Sequence, residues 1–267
     1  MTGRAYAEQP FEAPEPWRGF LWLSLRECHR VLRLWTQTTL APIVSSLLFI
    51  IVFGLSLGGR ISEIHGYPYE IFIVPGLIAM AMAQAVYSNN ASTIFQARND
   101  RYIDDVLAAP MYAWQMNLGF NVGGYFRALM IGGALTALAA PLTGAPIERP
   151  LYLLVVVALL LVGFGALGTI VGIYAHTFDH IQFVNNIVIL PLTFLGGVFY
   201  SVENLGAPWE EASHANPLFY VVSALRYGFL ADADVSPWLS AAVLAVIASV
   251  LVVWAQYLFS TGRRLKP

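Results

Sequence analysis

The clearest cluster of chemically active side chains in the sequence is the stretch HTFDH, which contains His176, Asp179 and His180. Residues four apart lie on one face of a helix, so the two imidazoles could act as metal ligands there. The same three side chains could instead form the catalytic group of an enzyme that acts on lipid head groups. The zinc motif HExxH is absent, and such residues in a short turn are more often interface residues. We therefore predict no metal site and no catalytic site in this chain.

Arg127 is the one basic residue within a long apolar stretch. A charge inside a membrane is costly, so Arg127 is a functional candidate, here for a substrate pathway. The alternative is that it pairs with a polar group or with the head-group layer. Asn89 and Asn90 also fall within an apolar stretch, where we expect them to form hydrogen bonds between helices.

Nucleotide chemistry is the next class to consider. The phosphate-binding loop of an ATPase needs glycines followed by a lysine, so that backbone amides and the ammonium group hold the phosphates. The sequence has a single lysine, Lys266, and no such loop. We predict that the chain is not an enzyme and holds no cofactor, and that any ATP-driven activity must come from another polypeptide. The single cysteine, Cys28, excludes an internal disulfide.

Composition indicates the environment in which these residues act. Of 267 residues, 58% are hydrophobic and 11% are charged, whereas soluble domains have about 45–50% apolar and about 25% charged residues. A net charge of −2 does not suggest the concentrated basic face of a nucleic-acid-binding protein. The sequence predicts an integral membrane protein without a nucleic-acid partner.

The predicted fold class is all-α, with six transmembrane helices. About 20 apolar residues are needed to cross a roughly 30 Å hydrocarbon core, and six stretches reach that length. The fifth is the least regular, because Asn185, Asn186, Pro191, Gly196 and Gly197 interrupt it. The predicted spans are 38–57, 71–95, 117–142, 151–174, 181–200 and 238–260.

The distribution of basic residues orients these spans, because cytosolic loops carry an excess of Lys and Arg. With the amino terminus inside, ten basic residues fall in inner segments and three in outer segments. Both termini are therefore predicted to be cytosolic. The inner residues are Arg4, Arg18, Arg26, Arg30, Arg33, Arg98, Arg101, Arg263, Arg264 and Lys266, and the outer ones are Arg60, Arg149 and Arg226.

The segments outside the spans have distinct patterns. Residues 1–16 predict a disordered cytosolic tail, and residues 261–267 a second short one. Residues 17–36 mix apolar side chains with arginines between tryptophans, which is typical of an amphipathic interfacial helix. That helix either rests on lipid or also docks a cytosolic partner.

Two loops complete the predicted membrane domain, 38–260. The inner loop, 96–116, is charged and has an apolar end, so it is either a solvated loop or a docking helix; a helix would pair Arg101 with Asp105. The outer segment, 201–237, contains an apolar stretch at 217–230 that is too short to cross, and it predicts a re-entrant or interfacial helix.

Several of these stretches resemble a known family. They are HGYPYEIFIVPGLIAM at 65–80, PLTFLGGVFYS at 191–201, the pair Pro208 and Trp209, and NPLFYVVSALRYGFL at 216–230. They are similar to the permease subunit of ABC-2 type exporters, in the YadH/NodJ-like branch. The resemblance extends over nearly the whole chain from about Trp17.

The resemblance implies a non-catalytic exporter subunit of the bacterial inner membrane that pairs as a homodimer above two cytosolic ABC ATPase subunits. In the family, the ATPase touches the segments that correspond to 17–35 and 98–110, and re-entrant helices corresponding to 201–226 cap the outer end of the pathway. The residues implied for coupling to the ATPase are Arg26, Arg30, Arg33, Arg98, Asp100, Arg101, Asp104 and Asp105. Those implied for the substrate pathway are Phe194, Phe199 and Tyr200, with Arg127 as the candidate named above.

The substrate and two alternative functions stay open. An apolar cap and few intramembrane charges favour an amphipathic substrate, such as a lipid-linked glycan, a glycolipid or a hydrophobic drug. A secondary transporter driven by an ion gradient would need acids or a proton relay within its spans. A lipid-modifying enzyme would use His176, Asp179 and His180.

Overall fold

The structure is a computed structural model that describes residues 16–57 and 63–265. The tail predicted at 1–16 lies outside the described residues except for Pro16, and so do Arg4, Arg60 and Lys266. The strands are β1 (Glu63–Ile64) and β2 (Tyr67–Pro68). The helices are α1 (Pro16–Arg33), α2 (Ala41–Leu57), α3 (Tyr69–Asn99), α4 (Ile103–Ala108), α5 (Ala113–Thr143), α6 (Pro150–Tyr174), α7 (Phe178–Phe183), α8 (Leu190–Leu195), α9 (Trp209–His214), α10 (Pro217–Leu230) and α11 (Pro237–Thr261).

In the described ranges, six helical stretches are long and apolar enough to cross a membrane, which confirms the six predicted spans. They are Thr36–Gly54, Tyr69–Asn99, Ala113–Thr143, Pro150–Tyr174, Phe178–Leu195 and Pro237–Thr261. Two contain a π-helical segment: Thr36–Leu40 joins α1 to α2, and Val184–Ile189 joins α7 to α8. The fifth span ends at Leu195, so its predicted extension to residue 200 was wrong. The chain turns at Gly197, whose φ of 79° is accessible to glycine without strain.

A small hairpin departs from the all-α prediction. Strands β1 and β2 pair antiparallel, and the two turn residues, His65 and Gly66, have φ of 52° and 80°, as tight two-residue hairpin turns require. The Tyr67 hydroxyl donates to the Leu230 carbonyl oxygen at 2.6 Å, and His65 Nδ1 lies 2.8 Å from Asp232 Oδ2. The hairpin therefore fastens the start of α3 to the end of α10.

Helix α3 lies at the centre of the bundle and is buried along almost its whole length. Helix α6 approaches it closely because glycines face it. A Cβ on Gly168 would lie 2.5 Å from the Tyr87 carbonyl oxygen, and one on Gly172 would lie 2.5 Å from that of Ala91. Residues four apart stand above one another on a helix, so the two glycines form one flat strip. Such strips favour association in membranes, where apolar burial gives helices no driving force to associate.

Helix α1 packs on the start of α5 in the same way. A Cβ on Gly119 would lie 2.8 Å from Leu23 Cδ2, and one on Gly123 would lie 2.9 Å from Glu27 Cβ. The other faces of α1 expose large apolar side chains, namely Trp17, Leu21, Trp22, Leu25 and Leu32. Helix α1 thus has one face on the protein and an apolar surface suited to the lipid interface.

The first and last described helices meet at one end of the bundle. A single apolar cluster contains Leu23 of α1, Ile103 of α4, Phe259 of α11 and Leu265. We call this the α1 end. Because α3 starts at the hairpin and runs to α4, the hairpin, α9 and α10 lie at the opposite end, which we call the hairpin end.

Arg226 was predicted as a charge of an outer loop, yet its side chain is fully buried at the hairpin end. Its guanidinium pairs with the Asp234 carboxylate, Nη2 donates to the Gly197 carbonyl oxygen at 2.7 Å, and Cζ lies 3.9 Å from the centroid of the Phe72 ring. A buried charge is tolerated only when it is paired and hydrogen-bonded. Arg226 therefore ties α10 and the loop before α11 to the turn after α8.

Replacing Gly168 by Ala is expected to lower the stability of the chain by about 1–3 kcal/mol, because the new methyl group has no room against the Tyr87 carbonyl. Gly133→Ala is the matched control, since a Cβ there meets no atom within 4 Å. The control should be neutral or stabilising by roughly 0.5–1 kcal/mol. Thermal unfolding in a neutral detergent at one fixed scan rate compares the two variants, and equal midpoints would contradict the close approach of α6 to α3.

The change Asp234→Asn is expected to destabilise the chain by about 3–5 kcal/mol, because it leaves the Arg226 charge buried without a partner. The double change Arg226→Met with Asp234→Leu removes both charges and should lower the stability of the chain less than the single change does. Asp179→Asn, at an exposed position, is the control. A double variant less stable than the single one in the same thermal assay would contradict this account.

Candidate functional site

A cavity of about 520 Å³ lies between α2, α3, α5 and the fifth span. Its lining consists of Gln37, Ala41, Pro42, Ser45, Ser46, Phe49, Met80, Ala81, Gln84, Ala85, Ser88, Arg127, Asn185, Leu190 and Phe194. Both π-helical segments contribute to it, through Gln37 and Asn185, and such segments occur frequently at functional sites. The cavity combines hydroxyl, amide and guanidinium groups with apolar walls, so it can hold a molecule that has a polar and an apolar part.

Among the described residues that line the cavity, Arg127 alone is charged. Its Nε donates to the carbonyl oxygen of Thr38 at 2.8 Å, in the π-helical segment before α2. Within the described chain, neither Nη nitrogen has a hydrogen-bond or ion-pair partner. Phe194 lines the same cavity, so the structure brings together two of the four predicted pathway residues.

Two amide side chains of the lining also have unpaired atoms. Gln84 Nε2 and Asn185 Oδ1 are both buried without a hydrogen-bond partner in the described residues. A buried polar atom left unpaired costs about 1–3 kcal/mol. Polar groups of a bound molecule, or water, would satisfy these atoms.

Four phenylalanine rings cluster at the side of the cavity that faces the hairpin end, and they belong to Phe49, Phe53, Phe194 and Phe199. The Phe199 ring centroid lies 5.1 Å from that of Phe53 and 5.5 Å from that of Phe194. The Tyr69 hydroxyl donates a hydrogen bond to the Phe199 carbonyl oxygen at 3.2 Å. The predicted residue Tyr200 follows directly and is half-buried. The cluster lies between the cavity and the hairpin end.

A chain of side-chain hydrogen bonds starts on α1. Arg30 Nε donates to Glu27 Oε2 at 3.0 Å, and its Nη2 donates to Asn89 Oδ1 at 3.3 Å and to the Thr93 hydroxyl. Glu27 is completely buried, so its carboxylate requires this pairing. The chain therefore connects α1 to α3 through a charged pair.

The same chain continues through the centre of the bundle. Asn89 Nδ2 donates to Asn90 Oδ1 at 3.3 Å, Asn90 Nδ2 to Asn121 Oδ1 at 2.6 Å, and Asn121 Nδ2 to Thr169 Oγ1 at 3.0 Å. Asn117 links Asn121 to Gln256 on α11. Together these bonds connect α1, α3, α5, α6 and α11, and they include the interhelical hydrogen bonds expected of Asn89 and Asn90.

The predicted ATPase-coupling residues fall into two groups. The exposed ones are Arg26, Arg33, Asp100, Arg101, Asp104 and Asp105. Arg30 and Arg98 are half-buried instead, and Arg30 belongs to the hydrogen-bond chain. Arg98 Nη1 donates to the carbonyl oxygens of Gly172 and Ala175, both at 3.2 Å. A cation at a helix C-terminus is stabilising, so Arg98 caps α6.

Ile103 and the preceding Tyr102 anchor the start of α4. Ile103 is fully buried, and the Arg26 guanidinium lies 4.2 Å from the centroid of the Tyr102 ring. Burial raises the pKa of the Tyr102 hydroxyl, so the phenol stays neutral beneath the cation. The expected ion pair between Arg101 and Asp105 is absent from the described salt bridges. Arg101 has φ of 59° and precedes the helix, so the two side chains do not share a helical face.

The HTFDH stretch begins in the turn between α6 and α7 and ends with the first three residues of α7. The backbone nitrogen of His176 donates to His180 Nδ1 at 3.3 Å, and both side chains and that of Asp179 are exposed. Across the described ranges, no group of three or more His, Cys, Asp and Glu side chains is placed to hold a metal ion.

Residues 18–230 match the family described as "ABC-2 type transporter". The chain belongs to the ABC-2 type transporter family. This ABC-2 permease is 37% identical over 252 residues to the inner membrane transport permease YadH of Escherichia coli strain K12, a match that covers 92% of the chain and 98% of YadH.

Nodulation protein J from two species is also similar to the ABC-2 permease. The protein from Sinorhizobium fredii strain NGR234 is 27% identical over 203 residues, covering 73% of the chain and 77% of the relative. That from Rhizobium meliloti strain 1021 is 25% identical over 221 residues, covering 81% and 84%. A transport permease is not itself an enzyme, so the hypothesis of a lipid-modifying enzyme is not retained. Membership of the family implies an ATPase partner.

Three residues of the ABC-2 permease were missed by the sequence analysis, namely Glu27, Gln84 and Asn121. Glu27 lies between Leu23 and Val31 at intervals of four, so a carboxylate within an apolar helical stripe was a usable signal. Gln84 and Asn121 are amides within spans, which is a signal for contacts inside the bundle. Their spacing does not indicate which of them faces the cavity.

Replacing Asn121 by Leu in the ABC-2 permease is expected to lower its stability by about 1–3 kcal/mol, because the amide partners on α3 and α6 lose their hydrogen bonds in a buried site. Asn186→Leu is the control, since that side chain is exposed on the fifth span. Thermal unfolding in detergent separates the two variants. A midpoint for Asn121→Leu at or above that of the control would show that the chain of hydrogen bonds contributes nothing to stability.

Proposed function

We propose that the chain is the membrane subunit of an ATP-driven exporter in a bacterial inner membrane, and that it moves an amphipathic molecule such as a lipid-linked glycan, a glycolipid or a hydrophobic drug. The observation that carries this proposal is the cavity with its mixed lining. Gln84, Ser88 and Arg127 offer polar contacts, and the phenylalanine cluster offers apolar ones. A small inorganic ion would leave the apolar half of this lining unused.

In the proposed orientation, the α1 end and both termini face the cytosol. The excess of arginine in the segments at that end supports this assignment, and so do the exposed tryptophans of α1, which suit the lipid–water interface. Helices α9 and α10 then lie at the outer side. With lengths of 6 and 14 residues, they are too short to cross and serve as the re-entrant cap.

A second copy of the chain is proposed to complete the pathway as a homodimer. The cavity continues along α2 into a groove of about 350 Å³ that shares Ser45 and Phe49 with it and ends at Phe53. Large apolar side chains on the two helical segments beside it are exposed, including Leu48 and Ile187. Two such surfaces facing each other would enclose one shared route and cover both sets of apolar side chains.

Two ATPase subunits are proposed to dock at the α1 end, on the exposed charges of α1 and of the loop that contains α4. ATP and Mg²⁺ bind in those subunits. ATP binding would favour one arrangement of the dimer and hydrolysis the other. The pair formed by buried Glu27 and half-buried Arg30 would transmit the difference, because it connects α1 to α3 and the remaining spans.

The combined change Asp104→Ala and Asp105→Ala tests the docking surface. The tagged chain is purified in mild detergent from cells that also express the ABC ATPase encoded beside it, and bound ATPase and ATP hydrolysis are measured. We expect the affinity for the ATPase to fall about three- to tenfold, which corresponds to the loss of one or two exposed charge pairs.

Glu210→Ala with Glu211→Ala is the matched control, because it removes two acids from α9 at the opposite end of the bundle. Retention of the ATPase by the control and its loss from the α4 variant would support the proposal. If the folded wild-type chain purified alone, without associated hydrolysis, the exporter proposal would be contradicted and an ion-driven transporter would be tested next.

A further inference from the structure

We infer that the cavity selects an anionic amphipath, and that Arg127 binds the oxyanion of its head group: a phosphate, sulfate or carboxylate. The inference rests on the proposed function, because it assigns the chemical class of the molecule that enters the same pathway. It narrows the proposed substrates by their charge, and neutral drugs and neutral glycolipids are thereby excluded as preferred ligands.

The first argument is the uncompensated charge. In the described part of the chain, the arginines with a carboxylate partner are Arg30 and Arg226, and Arg127 has none. No acid lines the cavity among the described residues. Arg127 is half-buried, so its guanidinium is partly removed from water without a counter-ion, which is costly, and a bound anion reduces that cost.

The second argument is the set of available donors. One of the five N–H groups of Arg127 is used by the Thr38 carbonyl, so the two Nη nitrogens keep four donors free among the described residues. Their planar fork matches two oxygens of a phosphate or carboxylate. The Gln84 amide and the Ser88 hydroxyl line the same cavity, and Gln84 Nε2 has no partner. Asn185 Oδ1 is an unpaired acceptor in the same lining, but the free N–H groups of Arg127 and Gln84 outnumber it, which suits a head group rich in acceptors.

The third argument is position. Thr38, which holds Arg127, is the third residue of the first span, Thr36–Gly54. In the proposed orientation this is the level of the head groups of the cytosolic leaflet. From Gln37 to Phe49 the lining rises about 18 Å, at roughly 1.5 Å per residue. A lipid-like anion can therefore enter with its head group at Arg127 and its chain directed toward the phenylalanine cluster, without moving its charge into the hydrocarbon core.

The test measures binding to the permease alone, purified in dodecyl maltoside, by native mass spectrometry. The probes are phosphatidic acid, diacylglycerol with the same chains, and inorganic phosphate. We expect phosphatidic acid to bind about tenfold more tightly than diacylglycerol, as charge-assisted bidentate hydrogen bonds predict. We expect no binding of inorganic phosphate at the same concentration, because it lacks the apolar part.

The variant Arg127→Gln should weaken phosphatidic acid binding about tenfold and leave diacylglycerol binding unchanged. Arg149→Gln, which removes an exposed arginine at the hairpin end, should change neither. If Arg127→Gln fails to fold, Gln84→Leu and Arg127→Lys keep the test available, and each should weaken phosphatidic acid binding by a smaller factor. The comparison of the three probes on the wild-type chain needs no variant.

Equal binding of phosphatidic acid and diacylglycerol would overturn the inference, and so would an unchanged affinity in a folded Arg127→Gln protein. Binding of inorganic phosphate as tight as that of phosphatidic acid would also overturn it, because the site would then be one for small anions. The assay contains no ATPase, so its result is independent of the co-purification described above. A chain that binds phosphatidic acid through Arg127 but associates with no ATPase would support the inference and contradict the exporter proposal.

Discussion

The bundle depends on the pairing of buried amide groups between its helices. The hydrogen bond between Asn90 and Asn121, at 2.6 Å, is the central example. Amide groups inside a membrane-spanning bundle have no water to bond with, so each must meet a partner on a neighbouring helix. The helices can come that close only where side chains are missing. A Cβ on Gly124 would lie 2.0 Å from Asn90 Oδ1, and one on Gly165 would lie 2.9 Å from Asn121 Oδ1. The amide hydrogen bonds therefore depend on the glycines, because a side chain at Gly124 or Gly165 would occupy the space of Asn90 or Asn121.

The two sides of α3 differ in how tightly they are packed. Toward α6, glycines and amides give close contact without a gap. Toward α2 and the fifth span, the serines, amides and Arg127 line an open cavity. A different cavity of about 270 Å³, which involves α6, α10 and α11, is lined by apolar residues such as Leu160, Phe164 and Leu218. Of these two cavities, the one lined by Gln37 and Asn185 contains the polar and charged side chains, whereas the described lining of the other is apolar.

The sequence predicted the parts of the fold that depend on local composition. Apolar length revealed the six spans, and the mixture of tryptophan and arginine revealed α1. The 14 residues of α10 were correctly predicted as too short to cross. The end of the fifth span was wrong because glycines within an apolar stretch do not reveal where a turn occurs. Two-residue strands carry no periodic pattern, so the hairpin was missed.

The site was less predictable, because it depends on which helix faces which. Arg127 was singled out by its charge alone, yet neither its bond to Thr38 nor its neighbour Phe194 follows from spacing. Arg98 was assigned to a docking surface with the other charges of its loop, and its hydrogen bonds to the end of α6 were not predicted. Arg226 was counted among the basic residues of the outer segments, and its burial was not predicted, because its partner Asp234 lies beyond the apolar stretch of α10. The partners of these three arginines can be identified only from the tertiary contacts.

The hydrogen bond from Arg127 to the Thr38 carbonyl connects the cavity to the segment between α1 and α2. Thr38 belongs to the π-helical segment that begins three residues after the end of α1, so the hydrogen bond joins the cation in the cavity to the chain that leaves α1. In the proposed mechanism, a displacement of α1 would shift the cation, and a molecule bound to the cation would act on α1 through the same atoms. Binding equilibria connected in this way are reciprocal, and each changes the other by the same factor. If Arg127 binds cargo as proposed, a loaded permease and an empty one would differ in their affinity for a partner that binds α1.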